Sequence, residues 1–132
     1  MTTAVDSSLL LDVLVGHPGF GPASLRALQA AERAGALLAC PVVWSEVRGQ
    51  FAGRGAMLAA MDNARIQFDP FDEACADSAG ALWARYRQAG GTRTRLLPDF
   101  LVGAHAQLRG GRLLTRDRGF YRRYFPGLQI LS

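Results

Sequence analysis

Lysine is absent from this chain. All 15 basic side chains are arginine, against 11 acids, for a net charge of +4. Any mechanism that needs a lysine is therefore excluded. A receiver-like signalling module is disfavoured with it, because phospho-acceptor pockets built from acids at strand ends normally rely on a lysine. Cysteine is scarce: Cys40 and Cys75 have neither metal-ligand nor redox spacing and lie in apolar surroundings. They read as buried thiols rather than a disulfide. His17 and His105 are the only imidazoles, and His105 reads as a packed or hydrogen-bonded side chain rather than a metal ligand. Long apolar runs are missing too, since Asp6, Asp12 and Arg48 interrupt them well short of a membrane span. No basic region precedes the N-terminal apolar run, so no secretory signal is expected, and the cytoplasm is the expected compartment.

What remains describes one globular unit. A length of 132 residues, 49% apolar and 20% charged, suits a single domain over 1–132 with a real core. The positive balance permits an anionic partner such as RNA without requiring one.

Taken in order, the chain alternates. Thr2 to Asp6 is a short apolar strand ending on an acid. Ser7 or Ser8 can cap a short helix through Leu9–Val15, closed by Gly16-His17-Pro18-Gly19. Pro22 to Ala34 is an amphipathic helix, and Ala36 to Cys40 a second buried strand. Pro41 opens a helix to about Phe51, and Arg54 to Ala64 forms another. Its Met57, Leu58 and Met61 suit either core packing or a partner surface. Arg65 to Phe68 is a third strand, and a long helix follows from Phe71-Asp72 to Gly90-Gly91. The basic loop Thr92-Arg93-Thr94-Arg95 leads into a helix from Pro98 to about Leu108. Leu113-Leu114-Thr115 is a fourth strand, Arg118 to Phe125 a basic turn or helix, and Leu128 to Leu131 a last strand. This pattern predicts a three-layer α/β domain around a mostly parallel sheet of four to five strands. Its strand C-termini share one edge.

Four acids fall at that edge. Asp6 follows strand one, Glu46 sits early on the helix after strand two, Asp99 opens the helix before strand four, and Asp117 follows strand four. Each has a plainer reading. Asp99 suits a helix first turn, where the dipole favours an acid, and Glu46 could pair with Arg48 or Arg54. Brought together, four carboxylates would raise one another's pKa values unless a cation held them. Hard carboxylate oxygens suit Mg²⁺ or Mn²⁺ rather than zinc. Such an ion can activate water and polarise a phosphoryl oxygen, so the chemistry indicated is metal-assisted phosphodiester hydrolysis. Asp12 reads as a solvated or salt-bridged helix residue. Arg93 and Arg95 before Asp99, and Arg116, Arg118, Arg122 and Arg123 around Asp117, would flank the site as phosphate-binding forks. Phe120, Tyr121 and Tyr124 could stack on unpaired bases; alternatively, Phe120 and Phe125 belong to the core and the arginines are solvated.

These stretches resemble the PIN-domain nucleases, specifically the VapC-type toxin ribonucleases of type II toxin–antitoxin pairs. Val5-Asp6-Ser7-Ser8-Leu9-Leu10 is similar to the family's first motif and Ser45-Glu46-Val47 to its second. Pro98-Asp99-Phe100-Leu101-Val102-Gly103-Ala104-His105-Ala106 resembles its third. Leu114-Thr115-Arg116-Asp117-Arg118-Gly119-Phe120 resembles its fourth. The resemblance spans nearly the whole chain and implies a PIN-like fold. It implies metal-binding, catalytic acids at Asp6, Glu46, Asp99 and Asp117, with supporting hydroxyls at Ser8 and Thr115. It further implies Mg²⁺ or Mn²⁺, endoribonuclease activity, a homodimer, and inhibition by a small antitoxin protein. The pattern does not call for Asp12. Two other readings stand beside the toxin: a PIN nuclease that processes RNA or DNA, and a catalytically inactive binding module.

Overall fold

A computed structural model describes residues 1–91 and 96–132. The strands are β1 (Thr3–Val5), β2 (Leu37–Ala39), β3 (Ile66–Phe68), β4 (Arg112–Leu114) and β5 (Gln129–Leu131). They form one sheet in the order β3-β2-β1-β4-β5, with every pairing parallel. Ala4 is central to the register, facing Leu38 on one side and Leu113 on the other. Strands this short and apolar are stable only when covered on both faces. The cover comes from α1 (Ser7–Leu11), α2 (Gly21–Ala34), α3 (Pro41–Arg48), α4 (Arg54–Asn63), α5 (Glu73–Gln88), α6 (Leu97–Arg109) and α7 (Arg118–Tyr124). Among the described residues no helix is long and apolar enough to cross a membrane.

The chain builds β1, β2 and β3 outward in one direction, then places β4 and β5 on the other side of β1. The reversal leaves a crevice between the C-terminal ends of β1 and β4, where sheets of this kind hold their sites. Helix α6 feeds the start of β4, so it runs against the strands and brings its own N-terminus to the same edge.

Local chemistry places the helix ends. Pro41 and Pro98 lie in the first turns of α3 and α6, where a missing N–H costs no hydrogen bond. Asp6 itself caps α1, accepting from the Ser7 N–H at 2.8 Å; Ser7 and Ser8 are inside the helix rather than at its cap. The segment expected as one helix over Leu9–Val15 is divided. Helix α1 stops at Leu11 and a π-helical turn covers Asp12–Gly16. That turn carries a buried acid, Asp12.

Beneath α6 the core is aromatic. Phe100 packs against Tyr86, Phe120 and Tyr124 with ring centroids 5.4, 5.3 and 5.8 Å apart. Phe120 and Tyr121 are buried, which corrects the idea that they stack on bases; Tyr124 is half-buried. Met57 and Met61 are core residues and Leu58 is half-buried. Cys40 and Cys75 are free and buried, and burial pushes the Cys40 thiol up to about 11.

Gly103 sits where α6 meets Phe125, and a Cβ there would stand 2.3 Å from that ring. Gly103→Ala should therefore destabilise by about 1–3 kcal/mol through overpacking, against a helix-propensity gain of about 1 kcal/mol. Adding Phe125→Leu should recover part of the loss in a urea titration. Additive losses would show that the two positions do not share that space.

His105, buried on α6, meets Asp69 Oδ2 through Nε2 at 2.7 Å. An ionised carboxylate only accepts, so Nε2 carries the proton. Burial holds the imidazole pKa below 6.5, although Asp69 pulls it upward. The folded state then binds fewer protons than the unfolded chain just below pH 6.5. Stability should fall as pH drops from 6.5 towards the folded value, and His105→Gln should flatten that limb of a Tm–pH curve.

Candidate functional site

Each acid reaches the crevice by a different local device. Asp6 leaves β1 and turns into α1 as its N-cap. Its second oxygen, Oδ2, accepts the Thr115 hydroxyl at 2.7 Å. Thr115, the residue after β4, also accepts the Asp117 N–H on the same Oγ1 at 3.0 Å. One buried hydroxyl thus ties Asp6 to the backbone that carries Asp117, across the reversal point of the sheet. Glu46 lies on the second turn of α3, and its Oε1 accepts the Ser7 hydroxyl at 3.2 Å. Asp99 is in the first turn of α6, where Oδ2 accepts the Leu96 N–H at 3.1 Å and the Leu96 carbonyl accepts the Asp99 N–H at 3.0 Å. The first-turn place anticipated for Asp99 is real. It does not compete with the site, because the same geometry holds the carboxylate at the crevice.

All four acids, together with Ser7, Ser8, Val42, Pro98 and Val102, line one cavity of about 170 Å³. Their fields meet there. Burial first, then the charges of Asp117 and Asp99, raise the Asp6 pKa above 3.8, while bonds from Thr115 and Ser7 oppose the rise. Partial burial chiefly, and the charges of Asp6 and Asp99, raise Glu46 above 4.5 against the Ser7 hydroxyl. Among the described residues Glu46 has no cation partner, so the pairing with Arg48 or Arg54 is not made.

As the side chains lie, no three acids or other metal-ligating groups among the described residues are drawn together as a finished metal site. The donor set nonetheless fits a hard divalent cation. It is all carboxylate, it is concentrated in one small cavity, and its mutual repulsion is what a cation would relieve. Each Asp6 oxygen accepts a single hydrogen bond and keeps a lone pair for a ligand role.

The outlying residues sort differently. Arg93 and Arg95 lie outside the described residues. Arg118 is exposed beside Asp117. Arg116 turns away to Asp12, with Nε 2.6 Å from Oδ2, which makes Asp12 the salt-bridged residue expected. Ser8 lines the cavity, but the hydroxyl that reaches an acid is that of Ser7. The sequence offered two adjacent serines, and the motif favoured the second. Only the cap at Asp6, which fixes the phase of α1, distinguishes them.

No curated protein matches this sequence. Its fold is similar to VapBC2 of Rickettsia felis bound to a promoter DNA fragment. The TM-score is 0.74 at 17% identity, covering 98% of this chain and 97% of that one. It is similar also to VapBC-1 of nontypeable Haemophilus influenzae (TM-score 0.70, 16% identity, 98% and 96% covered). A third neighbour is VapC20 of Mycobacterium tuberculosis, described as a sarcin–ricin loop cleaving toxin (TM-score 0.63, 15% identity, 89% and 93% covered). At such identities the likeness shows a shared fold. The sequence itself matches the PIN domain family model over residues 3–126. That span takes in Asp6, Glu46, Asp99, Asp117 and the hydroxyls around them, and the chain belongs to the PIN domain family.

Proposed function

We propose that this chain is a metal-dependent endoribonuclease acting as the toxin of a type II toxin–antitoxin pair. The observation that carries the reading is the meeting of Asp6, Glu46, Asp99 and Asp117 in one small cavity at the carboxyl edge of the sheet. Mg²⁺ or Mn²⁺ bound there would supply a polarised phosphoryl oxygen and a water of lowered pKa. Asp6, Asp99 and Asp117 are the holding groups. Glu46 completes the set or orients the attacking water, and burial with the charges of Asp6 and Asp99 raises its pKa, which suits a group that takes up a proton. Ser7 fixes the Glu46 carboxylate. Thr115 keeps Asp6 and Asp117 in register. Ser8 stands by as a further hydroxyl on the cavity wall. Arg118, exposed beside Asp117, offers charge to a phosphate backbone, and the same role is proposed for Arg93 and Arg95 from their place in the sequence before Asp99.

A protein antitoxin as partner is supported by the neighbours themselves, which include a toxin–antitoxin complex from Klebsiella pneumoniae and DNA-bound VapBC from Salmonella typhimurium. RNA as substrate is supported by the description of VapC20 and by the excess of arginine. A homodimer completes the proposal.

The test is a map of new RNA 5′ ends in cells after induced expression, wild type against Asp99→Asn. Discrete new ends with wild type alone support the nuclease and identify its substrate. Identical maps, with both proteins folded and no antitoxin present, overturn it in favour of a binding module.

A further inference from the structure

Asp12 takes no part in the four-acid cavity, yet it is buried at 4% exposure. It is held from two sides. The Ser24 hydroxyl donates to Oδ2 at 2.9 Å. Arg116 grips both oxygens, with Nε 2.6 Å from Oδ2 and Nη2 donating to Oδ1 at 3.1 Å. So fixed, the Arg116 guanidinium lies 4.1 Å over the centroid of the Phe20 ring. Phe20 is 49% exposed, and the Arg116 side chain remains 34% exposed. A large aromatic side chain in water and a guanidinium locked above it make a flat, rigid surface with little rotamer freedom left to lose.

This surface lines a cavity of about 720 Å³, together with Leu9, Arg26 and Arg118. The cavity adjoins the acid cleft through the chain itself. Leu9 follows Ser8, and Arg116 and Arg118 bracket Asp117, while Ser8 and Asp117 line the cleft. Its charges divide by role. Asp12 neutralises Arg116, so that residue offers a planar face rather than a free charge. Arg26 and Arg118 are exposed and, among the described residues, make no ion pair. A neutralised stacking face between two unpaired cations matches a π-faced group carried on a phosphate chain. An acidic peptide would use the two cations but has no need of the locked plane.

We propose that this cavity is a nucleotide subsite of the nuclease: an unpaired base of single-stranded RNA stacks on the Phe20–Arg116 platform that Asp12 fixes, and Arg26 and Arg118 receive the phosphates on either side. The proposal rests on the nuclease reading and adds to it the place where the chain beyond the scissile bond is held.

The test titrates a short fluorescein-labelled single-stranded RNA of mixed sequence into Asp99→Asn protein, which binds without cutting, and follows anisotropy across a salt series. Phe20→Ala in that background should weaken binding roughly tenfold and leave the salt slope unchanged. Phe20→Trp should retain affinity. Arg26→Ala should reduce the log–log salt slope by about 0.7, the value for one phosphate contact on a single strand. Asp12→Asn should act like a milder Phe20→Ala. If it fails to fold, the two exposed positions carry the test alone. Binding and salt slope unchanged in both Phe20→Ala and Arg26→Ala overturn the subsite. Variants that keep RNA but lose the antitoxin give the cavity to the protein partner and overturn it equally. In either case, continued cleavage by wild type leaves the nuclease reading standing. No RNA binding by the Asp99→Asn parent, with no cleavage by wild type, removes both.

Discussion

Asp99→Asn should lose RNA cleavage by about a thousandfold or more, on the order of 4 kcal/mol of transition-state stabilisation, and keep its fold. The separation follows from what the Asp99 carboxylate does twice. One oxygen accepts the Leu96 N–H and so closes the first turn of α6. An amide oxygen can do the same, and the substitution removes only the charge. Stability should move by no more than about 0.5 kcal/mol. Asp99→Ala should lose cleavage as completely and in addition cost about 1 kcal/mol, because the Leu96 N–H is left without its cap. The check is single-turnover cleavage beside urea denaturation for the three proteins. Full activity in Asp99→Asn would sink the assignment. Equal stability of the Asn and Ala variants would show that the cap contributes nothing.

The acids that line the cavity could be placed from the sequence because each lies beside a strong local signal. Asp6 follows directly on one apolar strand and Asp117 comes three residues after another, and Pro41 and Pro98 announce the helices that carry Glu46 and Asp99. Strand–helix alternation then fixes the edge on which they meet, and the five-stranded parallel sheet follows that alternation closely. The contacts that shape the site were another matter. Arg116 finds Asp12 across 104 residues of chain, and no periodicity in either segment encodes that partner. The π-helical turn at Asp12–Gly16 satisfies the same apolar spacing as an α-helix until the buried acid is seen. Phe120 and Tyr121 look the same in sequence whether they face bases or the core. Phe100 on α6 decides the matter for Phe120, and it does so only once α7 is folded back against it. Ser7 and Ser8 differ by one position, and a helical phase of about 100° per residue is what gives one of them to Glu46.

Asp6→Asn should also abolish cleavage, yet raise stability in metal-free buffer at neutral pH. Its own burial and the charges on Asp117 and Asp99 oppose the ionisation of Asp6 in the folded chain. The folded chain holds the Asp6 proton more tightly than the unfolded chain does. The stability this contributes is therefore full below pH 3.8 and is lost as pH rises through the raised folded value. A carboxamide removes that dependence. Its oxygen still accepts the Ser7 N–H, and its N–H can donate to Thr115 Oγ1 in place of the bond that Thr115 now donates. A divalent cation should reverse the order. At a hundred times its Kd, Mg²⁺ or Mn²⁺ would stabilise wild type by about 2.7 kcal/mol, roughly a 10 °C rise in Tm for a chain of this size, and should leave Asp6→Asn almost unmoved. Thermal melts with EDTA and then with Mn²⁺ would show the two curves exchanging places. If wild type melts above Asp6→Asn in EDTA, the acid is bound by contacts stronger than the repulsion assigned to it. If neither protein responds to Mn²⁺, the acids do not hold a metal. The same residue would then be a cap and a hydrogen-bond acceptor only.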